Sequence, residues 1–366
     1  MDIKLIFEIL VSECIKNNYS DLHLNTLHKP FIRNHYGDLE NIEKVTINGN
    51  LVETPVFTKE NVIEIIKVIS GEMGFLKFQD NFELDLSYKF KDSDRFRVNF
   101  YADTSGYSIA MRKIPVEIPT IEDLGLGENI KQMCQKSKGL ILVTGPTGSG
   151  KSTNLAAMID YINSNFKKHI ITIEDPVEFG LTSKKSLINQ RELGNSTRSF
   201  ANAIRAVLRE DPNIIMVGEM RDAETIKSAI TLAETGHLVL STLHTNDTVQ
   251  AIDRIVDVFP AGQQDQIRMQ LAMSLIGIVS QRLLPRIDKE GRIAAREIMV
   301  ANDAIRNLII TGKTHQLYSV IEVGQKEGMV LMDKYLLVLY NKGIISKDIL
   351  KSFARDKDQI DLMLNN

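Results

Sequence analysis

The chain has 366 residues, 43% of them hydrophobic and 25% charged, a balance that excludes a disordered polypeptide and suits two or three globular domains. Its 44 basic and 47 acidic residues leave a net charge of −3 with no block of like charges, which argues against nucleic acid as the main partner. Cys14 and Cys134 lie too far apart for a Cys-x-x-Cys zinc or redox pair, and both read as core residues in a reducing, cytoplasmic compartment.

Met1 to Glu8 carries Asp2, Lys4 and Glu8 where a secretory signal would be apolar. No run approaches the ~18 apolar residues of a membrane span; the greasiest, Leu271 to Val279, is interrupted by Ser274. Any membrane contact is therefore expected to run through a partner.

In chain order, Ile3, Ile6, Phe7, Leu10 and Cys14 recur at helical spacing, and Ser20 to Leu24 predicts a short strand. Residues 34–55 look loop-like and polar, with a candidate hairpin at Asn48 and Gly49. Thr58 is placed to cap a helix through Val62, Ile63, Ile66 and Ile69. Phe82, Leu84, Leu86, Tyr88 and Phe90 alternate with polar residues, as a half-buried strand requires. A second such strand turns Phe96, Val98 and Phe100 inward and Arg95, Arg97 and Asn99 outward, and a third is expected from Ser108 to Ile114. Pro115 and Pro119 then break the pattern. This predicts a small α+β domain over 1–114 and a linker over 115–126.

From 127 to 366 strands and helices alternate, the mark of an α/β domain with a parallel sheet. Strands are expected at 139–144, 169–174, 214–217 and 238–242, with helices after 150 and near 198–209 and 222–234. Beyond residue 260 the chain is expected to be mainly helical, with one short strand near 293–300.

Gly145, Pro146, Thr147, Gly148, Ser149, Gly150, Lys151 and Ser152 match the Walker A pattern at every fixed position, followed by Thr153. A strand precedes the loop and an amphipathic helix follows it, the context in which such glycines turn backbone N–H groups onto phosphates. Lys151 is expected to reach the β- and γ-phosphates of ATP and Ser152 to coordinate Mg²⁺. Parallel strands end on one edge, where ligands bind, so other strand ends become candidates. Strand 169–174 ends in Glu174, Asp175 and, after two residues, Glu178; all three are expected beside the phosphate loop, one of them as general base. Strand 214–217 delivers Glu219, expected to hold Mg²⁺ through water, and strand 238–242 delivers His244. His237 starts that last strand, roughly 16 Å from the edge by strand rise, so a structural or inter-subunit role is expected for it.

These residues together resemble the type II/IV secretion ATPases. Ile171 to Phe179 looks like their Asp box, Leu208 to Asp222 like their Walker B signature with Asn213 in place of an Asp, and Thr235 to Thr245 like their His box. The resemblance implies a PAS-like N-terminal domain, a RecA-like ATPase domain with C-terminal helices and a homo-hexameric ring. It also implies that Glu178, not Glu174, is the catalytic glutamate, and that Arg97 and Arg112 approach ATP. Ser105 stands where a third family arginine is expected.

The pilus-retraction branch fits best, because the extension and type II secretion enzymes carry a tetracysteine zinc module. That branch implies twitching motility, an inner-membrane platform protein as partner and a peripheral cytoplasmic location. Its C-terminal Ala-Ile-Arg-Asn-Leu-Ile-Arg-Glu segment is altered here at Ile310 and Thr311, which keeps an accessory retraction paralogue as an alternative. A nucleic-acid translocase on the same core lacks its basic stripe, and a sensor without turnover would not need Glu178.

Overall fold

The structure is a computed structural model and describes residues 2–34, 38–47, 49–91, 94–115 and 117–365. It divides into two compact units: Met1–Glu117 with Pro176–Gly180, and Ile118–Asp175 with Leu181–Asn366.

The first unit begins with α1 (Ile3–Lys16), capped by the Asp2 carboxylate, then β1 (Asp21–Asn25), β2 (Phe31–Arg33) and β3 (Leu39–Asn41). A hairpin of β4 (Lys44–Ile47) and β5 (Asn50–Glu53) follows, then α2 (Lys59–Asn81), β6 (Glu83–Phe90), β7 (Asp94–Asp103) and β8 (Gly106–Ile114). Six strands form one antiparallel sheet in the order β3-β2-β1-β8-β7-β6. Phe96, Val98 and Phe100 of β7 are fully buried with Phe7, Leu10, Ile65 and Phe78 of the two helices, as the alternation of β7 requires.

Three expectations change here. Residues 34–55 contain short strands rather than loop alone; the hairpin sits at the expected place, although Asn48 lies outside the described residues. The helix capped by Thr58 runs twelve residues beyond Ile69, because Gly71, at φ 68° and ψ 176°, kinks it without ending it. Phe82 does not open the strand's buried face: it is the left-handed C-cap of α2, 63% exposed.

The second unit holds a seven-stranded sheet flanked by α3 (Glu128–Cys134), β9 (Gly139–Thr144), α4 (Lys151–Asn165), β10 (His169–Glu174), β11 (Leu187–Glu192), α5 (Phe200–Val207), β12 (Ile214–Val217), α6 (Ala223–Glu234) and β13 (Leu238–Leu243). Then come α7 (Thr248–Asp257), α8 (Ala261–Ser274), β14 (Leu275–Pro285), β15 (Arg292–Val300), α9 (Asp303–Ile310), α10 (Leu317–Val323), α11 (Met332–Asn341), α12 (Lys347–Phe353) and α13 (Lys357–Asn365). Sheet order is β11-β10-β12-β13-β9-β14-β15, parallel except for β15. Leu140 and Leu142 of β9 bury in one apolar core and Ile141 and Val143 in another. That is why central strands such as β9 and β12 read as apolar runs.

Beyond residue 260 the chain is mainly helical and carries the expected strand at Arg292–Val300, but the long strand β14 is an addition. A buried apolar run has no periodicity to separate strand from helix; its pairing with β9 and β15 decides. Strand β11 is likewise an addition. The fold is mixed α/β. Cys14 and Cys134 are both buried and unbridged, and burial pushes their thiols up to about 11 and about 12. Among the described residues no helix is long and apolar enough to cross a membrane.

Candidate nucleotide site

The loop between β9 and α4 takes a shape that only glycine allows at its ends. Gly145 and Gly150 have φ of 147° and 85°. A Cβ on Gly145 would lie 2.3 Å from the Gln281 carbonyl oxygen, and one on Gly150 would lie 2.8 Å from Gln281 Nε2. Lys151 opens α4 and is 8% exposed; its Nζ donates to the carbonyl oxygens of Gly145 (2.9 Å) and Pro146 (3.0 Å). Gly150 gives α4 no side-chain cap, so the first-turn N–H groups and the positive end of the helix dipole face the loop. The Ser149 and Thr144 hydroxyls are buried without a hydrogen-bond partner among the described residues. A cation, uncapped helix amides and unused hydroxyls around one glycine loop fit an anionic phosphate group.

Two neighbouring strand ends complete this edge. Strand β13 lies beside β9, and β12 beside β13. Glu219, just past β12, accepts from Arg221 Nε at 2.7 Å, and His244, just past β13, has Nε2 3.6 Å from the same Glu219 oxygen. The Thr242 hydroxyl donates to the Gly218 carbonyl at 2.7 Å, tying the two ends together. Burial lowers the pKa of His244; the cations of Lys151 and Arg221 act in the same direction, while Glu219 opposes them. Lys151, Glu219 and His244 are thus gathered on one edge.

Glu174 stands differently from its expected place beside the phosphate loop. Strands β12 and β13 lie between β10 and β9, so Glu174 is three strand spacings away, roughly 14 Å. It is 7% exposed and accepts from the Thr172 hydroxyl (2.6 Å) and Gln190 Nε2 (3.1 Å). Those bonds occupy it as a structural acceptor. Asp175 and Glu178 are exposed, and Glu178 belongs to the segment Pro176–Gly180 grouped with the first unit.

Arg97 and Arg112 lie within the first unit as direct cross-strand partners on β7 and β8. Arg112 Nε is 2.7 Å from Asp21 Oδ1, and Arg97 Nε is 3.9 Å from Asp85 Oδ1. Their side chains are 51% and 70% exposed, in that order. Like charges opposite each other on a sheet repel, and here the Asp21 and Asp85 carboxylates offset the positive charge that the register gathers. Ser105 lies in the turn joining these strands, where its N–H donates to Asp103. His237 sits at the end of α6, with Nδ1 3.1 Å from the Leu232 carbonyl oxygen.

Sequence reasoning missed Gln281 and Arg296, both buried and both bonded around the phosphate loop. The available signal was a Gln inside an apolar run, which becomes informative only once that run is known to be the strand beside β9.

The model for the type II/IV secretion system protein family matches residues 2–323. Two relatives are each 45% identical to this chain. A twitching motility protein of Neisseria gonorrhoeae aligns over 318 residues, 86% of this chain and 85% of the relative. The type IV pilus retractation ATPase PilT of Pseudomonas aeruginosa aligns over 353 residues, 96% of this chain and 97% of the relative. The crystal structure of the pilus retraction motor PilT with bound ADP matches with a TM-score of 0.86 at 40% identity, covering 97% of this chain and 99% of that one. With a phosphate loop of this geometry and relatives matched over nearly their whole length, the chain belongs to the type II/IV secretion system protein family and is one of its ATPases.

Proposed function

We propose that this chain is the ATP-hydrolysing motor of type IV pilus retraction, the activity behind twitching motility. The observation that carries the reading is the Gly145–Ser152 loop, with Lys151 at the head of α4 and Glu219 and His244 on the same sheet edge, in a chain 45% identical to PilT over 96% of its length. In this reading the second unit is a RecA-like engine and the first a PAS-like domain, with domains over 1–114 and 127–366. Six copies form a ring at the inner face of the cytoplasmic membrane, held there by the platform protein of the pilus machine.

The loop amides and Lys151 bind the β- and γ-phosphates of ATP. Glu178 takes the proton of the attacking water as its oxygen bonds to the γ-phosphorus and the bond to the bridging oxygen breaks, leaving ADP and phosphate. Arg97 and Arg112 meet the charge that develops on the γ-phosphoryl oxygens. His244, held neutral near pH 7 by its lowered pKa, orients Glu219. Ser152, and Glu219 through water, are the residues that would hold Mg²⁺, whose chemistry there is to neutralise phosphate charge.

The test is deletion of the gene, scored for surface pili and twitching. Excess pili with lost motility is the expected result. Absent pili would instead assign the chain to extension.

A further inference from the structure

We infer that Gln281 and Arg296 are positioning residues, a two-step relay that holds the phosphate loop in shape and ties it to the lead-in segment at Leu124 and Gly125. The inference rests on the ATPase reading above. It starts from the contacts of one buried amide. Gln281, on β14 and 3% exposed, donates from Nε2 to the Ser149 carbonyl at 2.6 Å. Its Oε1 accepts from Asn154 Nδ2 at 2.9 Å and from Arg296 Nε at 2.6 Å. Two donors on one side require oxygen there, so the amide has one orientation and its N–H₂ must face the loop. The same residue abuts both ends of the loop, through its carbonyl at Gly145 and its Nε2 at Gly150.

Arg296, on β15 and 2% exposed, sends Nη2 to the Leu124 carbonyl at 2.6 Å and Nη1 to the Gly125 carbonyl at 3.3 Å. Among the described residues the acceptors that meet it are Gln281, the two carbonyls and the Tyr335 phenol, none of them a carboxylate. A buried cation held by neutral oxygens is a poor device for stability alone, since burial disfavours its charge. Its planar fork instead fixes three acceptors at once. Neither residue touches the reacting atoms; each acts through the backbone of Ser149.

The relay predicts an unusual split for Gln281→Glu. The carboxylate still accepts from Asn154 and supplies Arg296 with a counter-charge, so the melting temperature is expected to hold or rise. The donor to Ser149 is replaced by a repelling oxygen, so the full-length variant is expected to bind ADP about tenfold more weakly, a modest loss on the affinity scale. The KM for ATP is expected to rise in parallel with kcat nearly unchanged, because the loop grips phosphate in ground and transition states alike. Arg296→Lys is expected to weaken ADP binding about threefold in the native background and to add almost nothing in Gln281→Leu, the non-additivity of residues acting in series. Unaltered ADP affinity and KM in Gln281→Glu would overturn the relay, as would additive effects of Arg296→Lys and Gln281→Leu. A native chain that neither binds ADP nor hydrolyses ATP would instead overturn the ATPase reading, and the relay with it.

Discussion

Lys151 and the pair Arg97 and Arg112 are all candidate phosphate cations, yet the chain holds them in opposite ways. Lys151 is buried and rests on carbonyls of its own loop. Arg97 and Arg112 are exposed, come from two strands, and are neighbours only through the β7–β8 register. The first cation is built by one contiguous stretch whose glycines dictate its geometry. The second group is built by a sheet, and it places like charges together where independent surface residues would separate. A contiguous motif can thus supply its own site, whereas the paired arginines depend on a sheet register, and each also faces an aspartate.

The comparison breaks most sharply at Lys151. Lys151→Ala is expected to remove turnover altogether in a phosphate-release assay, since each ~1.4 kcal/mol of lost transition-state contact lowers the rate tenfold. Native turnover in that variant would leave the phosphate loop without a role. Arg97→Ala and Arg112→Ala sharpen the contrast, each expected to lose roughly 10³-fold in rate if these cations serve phosphoryl transfer. The Arg97→Ala melting curve is expected to stay within ~1 kcal/mol of the native chain, because the Arg97–Asp85 pair is exposed, whereas Arg112→Ala is expected to cost more, since it takes a partner from the buried Asp21. An active Arg97→Ala ring would move the pair out of the site.

A further contrast separates two neighbouring acids. Glu178→Gln is expected to keep ADP binding and slow hydrolysis by roughly 10²–10⁴, the scale of a positioned acid–base group. Glu174→Gln is expected to leave turnover nearly intact, because its amide oxygen can still accept from Thr172 and Gln190, which both meet one oxygen of Glu174. If Glu174→Gln removed turnover and Glu178→Gln did not, the assignment of the base would be reversed.

Much of the molecule was legible before its structure. The inward Phe96, Val98 and Phe100, the capping Thr58 and the strand ahead of Gly145 all follow local rules of alternation, capping and glycine geometry. Phe82 was misassigned because a helix C-cap and the first residue of a strand can both be apolar, and only the backbone angle separates them. The acid cluster at Glu174 looked like one site because strand ends share an edge, but the distance along that edge depends on strand order.

By itself, then, the sequence determined what is local: the phosphate loop, the helix it opens, the alternating faces of β7 and the family to which these motifs belong. Tertiary structure alone decided which strand lies beside β9, and so that His244 is near Lys151 while Glu174 is three strands away. It also decided that an apolar run after Ser274 is a strand carrying Gln281 against the loop. The physical reason is the range of the interactions. Glycine conformations and side-chain alternation act within a few residues, whereas strand order and a buried amide's partners come from residues tens of positions to more than a hundred apart, whose pairing no local pattern encodes.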